Sequence, residues 1–203
     1  MKQLFFAPFP LALAPLAENG GLHRGVTLLA FIGYHGAMNQ APSPPIRRSG
    51  PWPEEKVREF LAEARIPMRL AANTDSGFPV VLSLWFLPQG DELLAAVHRD
   101  ARIKKRLEAD PRCAFEVAPN QPPYCGVRGQ AVASLEPEGA RALLERLLAR
   151  YLGSADSGLG RFLLGRADEE LIVRLRPTRV DTWDYSRRME DAVTGKQAPA
   201  GQS

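Results

Sequence analysis

The sequence predicts an α+β fold, an antiparallel β-barrel with flanking helices. Three observations point there. Between Met68 and Tyr185, short runs rich in β-branched and aromatic residues are separated by Gly, Pro, Asn and Asp turn signals. The helical stripes are few and segregated. The regular strand–helix alternation of a parallel doubly wound sheet is missing, and no internal repeat is visible. At 203 residues the chain has room for one domain with tails.

The elements follow in order. Residues 39–52 carry Pro, Ser and Arg without periodicity and read as linker. Pro53 opens a helix whose first turn holds Glu54 and Glu55, and Val57, Phe60, Leu61 and Ala64 form its apolar stripe up to Pro67. Met68 to Asn73 is a short strand, Asp75-Ser76-Gly77 a turn, and Val80 to Phe86 a buried strand. Pro88-Gln89-Gly90-Asp91 turns the chain so that Leu93 to His98 returns as its hairpin partner. Asp100 is placed to cap a helix from Ala101 to Ala109, stopped by Asp110-Pro111. Arg112 to Ala118 and Tyr124 to Leu135 are strands, the second carrying Gly126 and Gly129 where backbones approach closely. Pro137 starts a helix with Ala140, Leu143, Leu144, Leu147, Leu148 and Tyr151 on one face, ended by Gly153. Residues 154–168 read as loop plus a short helix. Leu171 to Leu175 and Val180 to Tyr185 are the last strands, and residues 190–203 lack apolar periodicity and should fray.

Composition narrows the function classes. A net charge of +3 and a pI of about 9.1 permit an anionic ligand without demanding nucleic acid. The basic segment has no interleaved aromatic residues for base stacking. Cys113 and Cys125 suggest no disulfide framework and read as reduced, half-buried thiols on neighbouring strands. No CxxC, HExxH or Cys/His cluster indicates a metal site. No apolar run of about 18 residues free of breakers predicts a membrane span. Residues 1–37 read as an upstream extension with translation starting at Met38; the alternative is a cleaved secretion signal, its apolar run broken by Pro8, Pro10 and Pro15.

Arg99, Arg102, Lys104, Lys105 and Arg106 cluster where a strand gives way to a helix. Unpaired amides and the positive dipole end favour an anion there. Arg102 can fork onto a phosphate; the competing reading is a solvated face balanced by Glu108 and Asp110. In FPVVLSLWF (78–86) apolar strand residues suit a core. Arg128 is a cation inside a strand of small and apolar residues, and needs a carboxylate, a ligand or solvent. Gly158, Gly160 and Gly165 have the wrong spacing and context for a dinucleotide loop. His98 has no G-x-S-x-G elbow to accompany it.

FPVVLSLWF, HRDARIKKRLEADPRCAFEV (98–117), PYCGVRGQA (123–131) and Thr182-Trp183-Asp184 together resemble the pyridoxamine 5′-phosphate oxidase-like FMN-binding split-barrel family, over about residues 54–188. The resemblance implies an antiparallel split β-barrel domain at 53–188, after an extension and linker at 1–52 and before a flexible tail at 189–203. It implies FMN, or alternatively F420 or haem, in a groove between the protomers of a cytoplasmic homodimer, acting as an oxidoreductase on a small molecule. The family's phosphate turn reads Ser-Arg-Lys; here Ala101-Arg102-Ile103 aligns, so Arg102 matches and Lys104 or Lys105 stands in for the lysine. Ser83, Leu84 and Trp85 match the strand that lies along the flavin ring, with Val97 and His98 leading into the phosphate turn. Tyr124 falls at a ring-contacting position, Arg128 belongs to the same matching strand as a cofactor-binding candidate, Trp183 matches the family's late Trp near the flavin, and Arg187 and Arg188 lie near the oxidase's late arginine. The oxidase's fuller C-terminal signature is absent, so vitamin B6 oxidation is not implied. A different class stays open: a non-catalytic, dimeric ligand-binding domain without a cofactor.

Overall fold

Strand alternation and two glycine-permitted close approaches build a curled eight-stranded sheet. The structure, a computed structural model, describes residues 45–194, with side chains to residue 190. The readings of residues 1–37 and of 195–203 lie outside the described residues.

The strands are β1 (Arg47–Ser49), β2 (Met68–Ala72), β3 (Val80–Leu84), β4 (Leu87–Gln89), β5 (Glu92–His98), β6 (Arg112–Val117), β7 (Cys125–Glu136) and β8 (Glu170–Asp184). The helices are α1 (Glu54–Glu63), α2 (Arg102–Ala109), α3 (Ala140–Leu152), α4 (Gly158–Leu164) and α5 (Ser186–Thr194). The sheet order is β3-β2-β6-β7-β8-β5-β4, every neighbour antiparallel, and β1 adds to β8 in parallel. Met68, Leu70, Phe86, Val97, Phe115, Val127, Val173 and Leu175 fill the concave side, closed by Ile103 and Leu107 from α2. A second cluster forms where α3 lays Leu143 and Leu147 on Leu94 and Ile172, the outward residues of β5 and β8. The split-barrel expectation thus holds, with helices flanking an antiparallel sheet.

Several local expectations are corrected. Residues 47–52, read as linker, join the domain. Arg47–Ser49 pairs with Arg179–Asp181, and the buried Trp52 donates its ring N–H to Asp184 Oδ2 at 2.8 Å and its amide to Thr182 Oγ1 at 3.1 Å. The missed signal was Trp52 itself, an apolar anchor among prolines. Val80 to Phe86 is not a buried strand paired with Leu93 to His98. It ends at Leu84, pairs only with β2, and alternates half-buried with exposed residues; β5 instead turns back on the three-residue β4. Asp100 does not cap α2. Its amide donates to His98 Nδ1 at 3.1 Å, and Ala101 takes the cap position without a side-chain bond. Helix α3 begins at Ala140, after Gly139 (φ +81°), rather than at Pro137.

The two expected last strands are one. Pro177 offers no N–H, and a bulge absorbs it: Gln130 faces Arg179 and Ala131 faces Pro177, leaving Thr178 over. The tail read from residue 189 onward is helical as far as Thr194. Asp184 starts that helix by accepting the Ser186 amide at 3.1 Å.

Helix α3 also locks two loops. Arg150 donates to the carbonyls of Leu61, Ala62 and Ala64 at 2.8, 2.7 and 2.6 Å, so a guanidinium caps the end of α1. The Tyr151 hydroxyl accepts the Phe86 amide and donates to Ile66 O, each at 3.2 Å, and its ring stacks on Trp85 at 5.1 Å.

Gly129 marks a close approach inside the sheet. A Cβ there would lie 2.4 Å from Arg179 O and 2.7 Å from the Phe115 ring. Backbone cannot retreat from such a clash as a flexible side chain can, so Gly129→Val is expected to cost about 1–3 kcal/mol. Urea denaturation checks this: the midpoint should fall with the slope unchanged. An unchanged midpoint would show that the strands have slack.

Candidate functional site

A cleft of about 420 Å³ opens where β3, β5 and the start of α2 meet α3 and α4. Ser83, Leu84 and Trp85 come from the first segment, Val97 and His98 from the second, so these five expected site residues line one space. Its volume and apolar walls suit a drug-sized or cofactor-sized molecule.

The remaining expected residues are not brought into it. On α2, Arg102 is exposed at the first helical position and makes no hydrogen bond or ion pair among the described residues. Lys104 is tied to Glu108 at 2.7 Å, and Lys105 is exposed. Ile103, aligned with the family's lysine, turns inward and is 5% exposed, lining the cleft and the core. Arg128 and Trp183 sit together elsewhere, the guanidinium 5.4 Å from the ring centroid. Arg128 also lines a second cavity with Arg69, Glu116 and Asp181 on the outward face of β2, β6, β7 and β8. Tyr124 is exposed just before β7, its carbonyl accepting the Tyr185 amide at 3.0 Å. Arg187 and Arg188 lie exposed in α5.

The anion-binding potential of the α2 start is partly retained. Ala101 supplies no side-chain cap; the Lys104 amide is spent on the Ala101 carbonyl at 3.0 Å, which leaves the amides before it, beside Arg102, to favour an anion. A phosphate at this outer edge fits one arginine plus backbone amides. It does not fit inside the cleft, where no lysine or arginine lines the wall.

Sequence reasoning missed Ala96, Leu144, Leu147, Leu163 and Glu170 in the lining. The leucines were legible only as helix core. Glu170 could have been found as the one carboxylate opening the apolar run LIV. In the β5–β8 register it stands opposite His98. His98 Nε2 contacts Glu169 Oε2 at 2.5 Å and Arg166 Nη2 at 2.9 Å. The His98 and Arg166 hydrogen bonds hold Glu169 below the usual carboxylate range, whereas burial pushes Glu170 up. Asp184 is held well below its ordinary value by Ser186, Trp52 and Lys56. Both cysteines are free thiols. Burial pushes Cys113 up to about 12 and raises Cys125 as well, so neither is an activated nucleophile. Among the described residues no His/Cys/Asp/Glu group is placed to hold a metal ion. No helix among them is long and apolar enough to cross a membrane.

Comparisons with known proteins agree on the architecture. No protein-family model and no curated protein matches the sequence. Solved structures do. The conserved hypothetical protein Rv2991 of Mycobacterium tuberculosis superposes with a TM-score of 0.59 at 18% identity, over 75% of this chain and 94% of that one. An F420 reductase gives 0.52 at 23% identity, over 60% and 94%. A "Putative Pyridoxamine 5′-phosphate oxidase" of Listeria innocua gives 0.50 at 15%, over 63% and 95%. With its sheet order, its flanking helices and these neighbours, the chain has the split-barrel fold of pyridoxamine 5′-phosphate oxidase-like proteins.

Proposed function

We propose that this protein binds a flavin-type redox cofactor, FMN first, and serves as a cytoplasmic oxidoreductase acting on a small molecule. The observation that supports this reading is the meeting of Ser83, Leu84, Trp85, Val97 and His98 in one apolar cleft. That cleft lies beside the uncapped, arginine-bearing start of α2. When bound, the isoalloxazine supplies the hydride chemistry. The chain's share is binding and shielding: apolar walls exclude water from the ring, and Arg102 with the α2 amides holds the phosphate at the edge.

F420 is the second reading. Ile103 replaces the lysine that would grip an FMN phosphate, and one fold neighbour is an F420 reductase. Haem is disfavoured, because His98, the only histidine among the described residues, has both ring nitrogens engaged. A binding domain without a cofactor is the outcome if no flavin binds.

The proposed assembly is a homodimer with the cofactor at the protomer interface. The outward sheet face supports this: Val81 (63% exposed) and Val132 (42%) flank the small Ala71 and Ala114. A second copy packed there would bring Tyr124, Arg128 and Trp183 into use. Sedimentation at micromolar concentration should give a dimer, and a monomer would refute the shared groove.

Arg102→Ala should weaken FMN binding about ten- to a hundred-fold, since a charged hydrogen bond is worth about 1.5–3 kcal/mol. Riboflavin, lacking the phosphate, should be far less affected. Titrating FMN, riboflavin and F420 into both proteins checks this. Equal FMN affinity in the mutant would place the phosphate elsewhere, and no flavin binding to either protein would end the cofactor reading.

A further inference from the structure

The cleft's polar inventory is short. Apart from Ser83 at its rim, only His98 and Glu170 bring polar side chains to walls made by residues such as Leu84, Trp85, Val97, Ile103 and Leu147. His98 is already committed. Its Nδ1 accepts the Asp100 amide at 3.1 Å, which puts the ring proton on Nε2, facing Glu169 at 2.5 Å. The nearest cation is committed as well. Arg166 contacts Glu169 at 3.3 Å and His98 at 2.9 Å, and lies 5.8 Å over the Phe162 ring.

Glu170 is what remains. It is half-buried, lines the cleft opposite His98, and makes no hydrogen bond or ion pair among the described residues. Burial pushes its pKa up, the direction expected of a carboxyl without a bonded cation. A carboxylate against apolar walls is costly unless something pairs with it, and no lysine or arginine lines this space.

We propose that the cleft's substrate is an apolar small molecule bearing a protonated amine, whose ammonium Glu170 accepts while the leucine and tryptophan walls hold its hydrocarbon part. This rests on the reading of the cleft as the ligand site, though not on which cofactor shares it. The anionic end of a cofactor stays outside the cleft, at Arg102, while the ammonium meets Glu170 on the cleft wall. A charge-assisted hydrogen bond inside an apolar wall discriminates strongly between an ammonium and a neutral group of the same shape.

The test uses two near-isosteric probes, 2-phenylethylamine and 2-phenylethanol, titrated calorimetrically into the purified full chain at neutral pH. Wild type should bind the amine about ten- to a hundred-fold more tightly than the alcohol. Glu170→Gln should lose that preference. Glu169→Gln, which removes the neighbouring carboxylate outside the cleft, should keep it. Equal affinities in wild type, binding of neither probe, or a preference that survives in Glu170→Gln would overturn the proposal. The wild-type contrast stands even if the variant fails to fold, which circular dichroism reports. FMN titrated alongside separates the two claims. FMN binding without amine preference sinks this inference alone, and amine preference without FMN binding sinks the cofactor reading alone.

Discussion

The architecture depends on one strand. β8 runs from Glu170 to Asp184, gives its first half to β5 and the far part of the same edge to β1, and pairs with β7 along most of its length. Such a strand has to accommodate a proline without losing register, and the bulge at Thr178 does so. Its partner β7 has to approach without side chains in the way, and Gly126 and Gly129 leave that room for the Trp183 and Phe115 rings. Because β8 is continuous, its two ends carry different business. Glu170 sits at the cleft beside His98, while Thr182, Trp183 and Asp184 anchor Trp52 and the entry to α5.

The helices then fix the cleft by polar means. Arg150 reaches from α3 to three carbonyls at the end of α1, and the Tyr151 hydroxyl links the Phe86 amide to the Ile66 carbonyl. Trp85, stacked on Tyr151, is thereby held against the cleft in one orientation. The wall is therefore built on packed elements, which suits the proposed orientation of a flat ring.

Much of the fold was legible because period and punctuation agree. The stripe Leu143, Leu144, Leu147, Leu148 and the stop at Gly153 gave α3, and the glycines of β7 announced close approach. What escaped the sequence was tertiary. Three-residue strands such as β1 and β4 have no periodicity to read. Pairing partners of β3 and β5 depend on which strand lies nearby, not on the nearest turn. At the site, the resemblance located the Ser83–Trp85 and Val97–His98 stretches, which do meet. It could not show that Ile103 turns into the core, that Lys104 is spent on Glu108, or that Glu170 comes opposite His98, since each depends on side-chain direction across elements.

The account's central claim is that this cleft holds a flavin-type ring. The visible absorption spectrum of protein freshly purified from its native host tests it most directly. A two-banded flavin spectrum, or the single band of a deazaflavin, is the result the account predicts. A Soret band, or a colourless protein that takes up neither FMN nor F420 when they are added, would contradict it.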